Sequence, residues 1–471
     1  MLGCENIMNK WFVDNSTKET IKIIPVVTEN FVAWLKEQAE PVRKWIELNS
    51  FTAKSGEYCL ILEKNHVALN YVLLGVADAD DDWAFGDLAR KLPIGVYEIL
   101  AKDWSVEQLE RATIAWGLGS YCFAKYKKTE ELRTSLFLQN SLNRDYVINF
   151  VEAICWARDL INMPNHDLGP EELTVASHDL AKEFSADMRQ IIGGDLLKEN
   201  FPGVYAVGKG SLSLPRLIEL RWGNNKKAPL LTLIGKGVCF DSGGWDIKPS
   251  PHMRNMKDDM AGAAHVLALA RLIMQANLPV RLHVILPVVE NLLAVNSYKP
   301  GDILTMRNGK TVEIFDTDAE GRLILADALT YACEEKPDLL MDFATLTGSA
   351  RVALGEEITA MFTPDHEVAH AIGVSAALEK EPLWRMPLYE PYLKSLESSI
   401  ADFYNCSGSR YGGSITAALF LQQFIEPKIS WVHFDLASWN EKSKPGRPEG
   451  GDVLFLRGLF KYLQERFSHS V

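Results

Sequence analysis

The sequence predicts an α/β protein. Its larger, C-terminal part should hold a mostly parallel or mixed central sheet flanked by helices, preceded by a smaller α/β domain. Three observations carry this. Strand-like runs at 216–222, 229–235, 281–290, 338–344 and 431–437 alternate with helical segments, the pattern of a sheet covered by helices on both faces. The run from Pro229 to Gly235 is almost continuously apolar, as parallel strands buried on both faces are. The segment Lys310–Phe315 alternates like a strand and passes directly into a Leu/Ala-rich stretch, 321–335, with helical periodicity.

Taken in order, residues 20–100 mix short apolar runs (Ile21–Val27, Tyr58–Leu62, Tyr71–Val76) with helical segments. Four aspartates crowd the stretch Asp78–Asp82. They lack the Gly and terminal Glu of an EF-hand loop, so a solvated turn is expected rather than a calcium site. Residues 105–127 read as helix, and the charged stretch Lys125–Glu131 as an exposed boundary. An amphipathic helix from Asn143 to Met163, stopped by Pro164, reads as a connector. The expected division is therefore an N-terminal domain (1–142), a connecting helix (143–165) and a second domain (166–471). No internal repeat or low-complexity tract interrupts it.

Composition narrows the class. A chain of 471 residues, 47% hydrophobic, is long enough for two domains with a large core. The balance of 49 basic against 62 acidic residues, net −13, argues against a general nucleic-acid surface. No apolar run reaches membrane-spanning length. Met1-Leu-Gly-Cys4 looks like the end of a lipoprotein signal, but no apolar region precedes Cys4, and Glu5–Lys10 does not read as a signal peptide. Seven scattered cysteines without a CxxC pair suggest reduced thiols in a cytoplasmic protein.

The chemistry concentrates in two loops. Residues 316–323 read Asp-Thr-Asp-Ala-Glu-Gly-Arg-Leu, three carboxylates and a guanidinium between a strand and a helix. Short backbone there can aim several oxygens at one point, which hard divalent cations favour. An adjacent Arg can hold a small anion or a developing negative charge. The bland alternative is an acidic turn with an Arg on a solvated face. Residues 235–250 read Gly-Lys-Gly-Val-Cys-Phe-Asp-Ser-Gly-Gly-Trp-Asp-Ile-Lys-Pro-Ser. Lys236 sits at the carboxyl end of a buried strand, with Asp241 and Lys248 in the Gly-rich loop that follows. Met256–Met260, carrying Asp258 and Asp259, then opens a helical run, 261–276. In open α/β sheets ligands bind at that edge. Gly235-Lys-Gly237 lacks the GxxxxGK[ST] spacing of a phosphate loop. Ten histidines include no HExxH pair; His252 and His265, near these loops, are not expected to be ligands, and His433 is expected to be a packed histidine.

These loops resemble the leucyl (cytosol) aminopeptidase family. The resemblance rests on 235–249, 256–264 and 317–323, and on Arg158-Asp-Leu-Ile-Asn162, Pro300-Gly-Asp302, Ala344-Thr-Leu-Thr-Gly348 and Trp431-Val-His-Phe-Asp-Leu-Ala437, in family order over roughly 155–440. Residues 1–145 carry no matching motif. The resemblance implies a catalytic metallopeptidase domain at 166–471 that releases N-terminal residues, apolar ones preferred, from peptides. It implies two divalent ions per subunit, Zn²⁺ or Mn²⁺ with Mg²⁺ as a third option. Their ligands would be Lys236, Asp241, Asp259, Asp318 and Glu320, with Asp241 and Glu320 bridging and Asp318 binding also through its main-chain carbonyl. An amine ligates only when neutral, and a free Lys has a pKa near ~10.4; two adjacent dications would remove that proton. The resemblance further gives Lys248 the substrate carbonyl and its oxyanion, and Arg322 a bicarbonate-like anion acting as general base. It lines the pocket for the first side chain with Met256, Thr345, Leu346, Gly348, Ala437 and Asn440. A homohexamer in the cytoplasm is expected.

Four positions depart from the family pattern. Asp316 stands where Asn is common. Asp258 precedes the ligand Asp259; neighbours on a helix point about 100° apart, so only one can face the site. Trp245-Asp246 replaces small or aliphatic residues. Asn440 falls where an apolar Met often lines the pocket, which predicts a weaker Leu preference if its amide is left unpaired. Competing expectations are a metallo-dipeptidase or conjugate hydrolase acting on a substrate such as cysteinyl-glycine, a DNA-binding regulator, and a two-metal phosphoesterase. The net charge weighs against the second; the Lys ligand and the Thr-Leu-Thr-Gly motif weigh against the third.

Overall fold

A computed structural model describes residues 10–14, 20–63, 68–129 and 132–468; the Met1–Asn9 segment and Glu130–Glu131 lie outside them. The chain forms two compact units. One holds the stretch up to Trp156 together with Asn440–Gly450; the other holds Ala157–Trp439 and the residues from Gly451 onward. The division falls inside helix Arg144–Asn162.

The first unit is built on a six-stranded sheet. Ile21–Val27 lies at its centre, parallel to Leu69–Val76 on one side and to Gly95–Ile99 on the other. Only Tyr58–Leu62 runs antiparallel to its neighbour. Helix Val106–Ser120 starts with a reciprocal cap: the Gln108 N–H donates to Ser105 Oγ at 3.3 Å, and Ser105 N–H to Gln108 Oε1 at 2.9 Å. That helix also corrects the expectation of a solvated acidic turn. Arg111 reaches Asp82 at 3.2 Å and Asp80 at 2.5 Å, and Asp82 is buried. A carboxylate survives burial there because a cation accompanies it.

The second unit carries a nine-stranded mixed sheet. Trp431–Asp435, Leu339–Ala344, Leu230–Gly235 and Arg281–Asn291 form its parallel centre, and Gly237–Asp241 pairs parallel with the last of these. Antiparallel strands flank the centre: Arg216–Trp222 on one side, Thr359–Phe362 on the other. Every residue of Leu230–Gly235 and Leu339–Ala344 is buried, as their apolar runs require. Asp342 is the one charged residue among them. It is satisfied by Trp431 Nε1 at 2.7 Å and His433 Nδ1 at 2.6 Å, so His433 is a packed histidine, as expected.

Helices Ala261–Gln275 and Gly321–Cys333 cover the sheet with nearly continuous burial. The first sits close because Gly262 has no side chain: a Cβ there would lie 2.1 Å from the Phe343 carbonyl oxygen. The register Phe343↔Gly235 and Ala344↔Asp435 brings three strands to their carboxyl ends at one edge. Lys236, Thr345 and Leu436 leave the sheet there.

Candidate active site

Lys236 follows strand Leu230–Gly235 directly and is fixed by its own backbone. Its N–H donates to the Phe343 carbonyl and its carbonyl accepts from Ala263 N–H, both at 2.9 Å. Its Nζ lies 2.7 Å from Asp259 Oδ1, 2.9 Å from Glu320 Oε1 and 2.9 Å from the Thr345 carbonyl. Gly321, directly after Glu320, leaves that lysine its room: a Cβ there would lie 2.6 Å from Lys236 Cε and push the side chain aside. Asp241 ends strand Gly237–Asp241; its Oδ1 accepts from Asn291 Nδ2 at 2.8 Å and from Gly243 N–H at 2.9 Å. Lys248 Nζ lies 2.8 Å from Asp241 Oδ2 and 2.5 Å from Asp318 Oδ1.

Ligand atoms of Asp241, Asp259 and Glu320 all lie within 4.8 Å of one another. Asp318 joins them through Lys248. Asp259 Oδ2 and Glu320 Oε2 are buried with no hydrogen-bond partner, which is costly for a carboxylate unless a cation is its partner. The donor set of hard oxygens with those two orphaned atoms fits divalent ions.

The electrostatics agree. Burial, then the charges of Asp241 and Glu320, push Asp318 up to about 7 against the pull of Lys248. Burial and neighbouring carboxylates likewise hold Glu320 and Asp259 above the usual range. For the two lysines burial works downward, but the surrounding carboxylates outweigh it and leave both amines above their ordinary value. Both ammonium groups lie at hydrogen-bond distance from the cage carboxylates.

Of the neighbouring aspartates, Asp258 is buried one residue before Asp259 and is not part of the clustered triad. The Asp316 side chain folds back to accept from Asp318 N–H at 2.7 Å. Asp246 grips the ligand loop by accepting from Thr317 N–H at 2.8 Å. His265 is bonded to Ala261 and Leu454 and is not a cage residue. Arg322, in the first turn of helix Gly321–Cys333, is buried; it donates to the Asn405 carbonyl at 2.8 Å and its Nε has no partner.

The pocket candidates Thr345, Leu346, Gly348 and Ala437 follow two adjacent parallel strands, and Met256 opens a short 3₁₀ turn before Asp259. Asp435 shapes their loop, accepting from Leu346 N–H at 3.0 Å, Thr347 N–H at 3.1 Å and Thr347 Oγ1 at 2.6 Å. The Asn440 amide is engaged at both ends within its own segment: Nδ2 donates to the Pro448 carbonyl at 3.2 Å and Oδ1 accepts from Arg447 at 3.3 Å. The penalty of an unpaired amide, on which the weaker Leu preference rested, does not arise.

Sequence reasoning missed Asn291, Asp435 and Asn405. Asn291 had a usable signal, a polar residue at the end of an apolar strand on the ligand-binding edge. Asn405 had none. A second acidic cluster, Glu219, His283 and Glu335, also brings ligand atoms within 4.8 Å. Arg221 donates to both of its carboxylates, so it is an ion network already carrying its own cation.

Comparison with known proteins identifies the family. The cytosol aminopeptidase family, catalytic domain, matches residues 155–457, and the M17 aminopeptidase N-terminal domain matches 21–139. The crystal structure of cytosol aminopeptidase from Coxiella burnetii is similar at a TM-score of 0.94 with 45% identity, over 97% of this chain and 99% of that one. The bottromycin maturation enzyme BotP in complex with Mn is similar at 0.87 with 30% identity, over 95% of this chain and 100% of that one. A "Probable cytosol aminopeptidase" of Geotalea uraniireducens is 36% identical over 393 residues, 79% of each chain.

Proposed function

Since the chain belongs to the cytosol aminopeptidase family and is an aminopeptidase, we propose that it works with two divalent ions, held by Lys236, Asp241, Asp259, Asp318 and Glu320, and prefers Leu-type first residues. The observation that carries this is the convergence of Asp241, Asp259 and Glu320 within 4.8 Å, with two lysines reaching into the same cage. When bound, two such ions supply an activated water and polarise the scissile carbonyl. Mn²⁺ is supported by the complex of the related BotP; Zn²⁺ and Mg²⁺ suit the same oxygen-rich set.

The chain's own residues have separable tasks. Lys236 must surrender the proton that the carboxylates stabilise before it can ligate, so metal binding releases protons. Lys248 keeps its ammonium, and its position against Asp241 and Asp318 lets it donate to the carbonyl oxygen as charge develops there. Arg322, buried with a free Nε, offers the donor face for a bicarbonate-like anion. Met256, Thr345, Leu346, Gly348 and Ala437 present the apolar surface for the first side chain, at about 0.8 kcal/mol per buried methylene; Asn440, whose amide is bonded to Pro448 and Arg447, is left out of this lining.

We also propose a homohexamer acting on peptides in the cytoplasm. Exposed aromatics of the catalytic unit, Trp245, Trp384 and Tyr411 among them, support self-association. The relatives' names support the location, and no helix among the described residues is long and apolar enough to cross a membrane. The test is turnover of a Leu-linked chromogenic amide by metal-stripped protein before and after Mn²⁺ or Zn²⁺, with elemental analysis of the reloaded chain. Two equivalents and restored turnover are expected; one equivalent or none at saturation would end the two-ion mechanism.

A further inference from the structure

We infer that Asn405 is the positioning residue that sets the 315–320 ligand loop and Arg322 in register with each other, an inference that rests on the two-ion reading above. Asn405 follows the short strand Phe403–Tyr404, which pairs parallel with Thr311–Glu313. Its own N–H donates to the Glu313 carbonyl at 2.9 Å, so the residue is anchored on the strand that leads into the ligand loop. It is fully buried.

Its side chain then reads the loop backbone on both sides of the ligands. Oδ1 accepts from Phe315 N–H at 2.8 Å and Asp316 N–H at 3.3 Å. Nδ2 donates to the Asp316 carbonyl at 2.6 Å and, more weakly, to the Ala319 carbonyl at 3.4 Å. Both acceptor lone pairs and both donor hydrogens of the amide are used, which is the full capacity of an Asn. The bonds bracket Asp318 and end one residue before Glu320. The main-chain carbonyl of the same Asn405 accepts from Arg322 at 2.8 Å. One residue thus spaces two candidate ligands against the guanidinium. Thr317 between them is held independently by Asp246, Gly243 and Tyr298. What Asn405 adds is the height of the loop ends, not the order of its middle.

Aspartate is the sharpest probe because it keeps the shape and loses the donor. In Asn405→Asp an oxygen would face the Asp316 and Ala319 carbonyls. Asn405→Ser removes the reach, acceptor and donor together, without adding charge. Two measurements decide. Hydrogen–deuterium exchange of metal-stripped Asn405→Ser, whose shorter side chain no longer reaches the Phe315 and Asp316 N–H groups that an aspartate oxygen would still accept from, reports those amides directly; at least tenfold faster exchange confined to 313–322 is expected. Mn²⁺ titration by calorimetry reports the ligands; roughly tenfold to hundredfold weaker binding is expected, the usual cost of losing an outer-shell partner, at a melting temperature near the parent's. Unchanged exchange in the folded variant overturns the inference. So does altered exchange with parent-like Mn²⁺ affinity, which would leave Asn405 as loop packing alone. If the parent itself binds no Mn²⁺, the two-ion reading fails and the exchange result alone decides whether Asn405 holds the loop.

Discussion

Replacing Lys236 with methionine probes the cage most directly. In the metal-free chain its ammonium is the cation at hydrogen-bond distance from Asp259 (2.7 Å) and Glu320 (2.9 Å), and all three groups are buried. Methionine keeps a similar length and removes the charge. Removing one partner of a buried ion pair costs about 3–5 kcal/mol, because the other is left uncompensated. One kcal/mol moves the melting temperature by roughly 2–4 °C for domains of 150–250 residues. The metal-stripped variant should therefore melt on the order of 6–20 °C below the parent at pH 8. The pH dependence has a defined sign. Burial already holds Asp259 and Glu320 above the usual carboxylate range, and losing the ammonium raises them further. A group whose folded pKa is raised favours folding at low pH and loses that contribution as pH rises through the folded value. The deficit of the variant should thus be largest at pH 8 and shrink on acidification, as the two carboxyls take up protons. Circular-dichroism melts of stripped parent and variant at pH 5, 6.5 and 8 measure it. Equal melting temperatures at pH 8, or a deficit that grows on acidification, would refute the reasoning.

Three further outcomes are expected. Lys248→Ala should lower turnover by two to three orders of magnitude, the ~3–4 kcal/mol that one oxyanion donor contributes, while elemental analysis still finds the parent's metal content; near-normal kcat would remove Lys248 from the chemistry. His265 is buried with its Nδ1 2.7 Å from the Ala261 carbonyl and its Nε2 accepting from Leu454 N–H at 3.2 Å. Burial pushes its pKa down from 6.5 to about 4, so the unfolded chain binds a proton over that interval while the folded chain does not. Stability is lost as pH falls from about 6.5 to 4, on the order of 3 kcal/mol in all, and His265→Gln should flatten the melting curve there; parallel parent and variant profiles would contradict this. Asn440→Met should leave the ranking of aminoacyl amides by kcat/KM unchanged, since the amide is already bonded to Pro448 and Arg447; a shift toward Leu in the variant would show that the side chain faces substrate.

The candidate ligands were legible because they are local. Lys236, Asp241 and Lys248 fall in one short stretch after an apolar run, and Asp318, Glu320 and Arg322 in another, between a strand-like run and a helical one. Strand-end placement follows from that pattern alone. The strands themselves were legible for the same reason: a buried parallel strand has to be apolar at nearly every position. What escaped were polar residues whose partners lie far along the chain. Asn291 bonds Asp241 across fifty positions and Asn405 bonds Asp316 across eighty-nine. Asp82 is buried because Arg111, on a helix twenty-nine residues later, meets it. No period or spacing in the sequence marks such pairs, because a single Asn or Asp looks the same whether it is solvated or spent on a distant backbone.

The sequence by itself determined the class of fold, the edge of the sheet where chemistry gathers, the acidic and cationic groups that gather there, and the family. Those properties are set by residue types within short windows and by the hydrophobic period. Only the tertiary structure decided that both lysines reach into the carboxylate cage, that Asp316 turns back on its own loop, and that the Asn440 amide is spoken for. Each of these depends on which polar atoms meet after burial has removed water, and that is fixed by how strands and helices from distant parts of the chain pack.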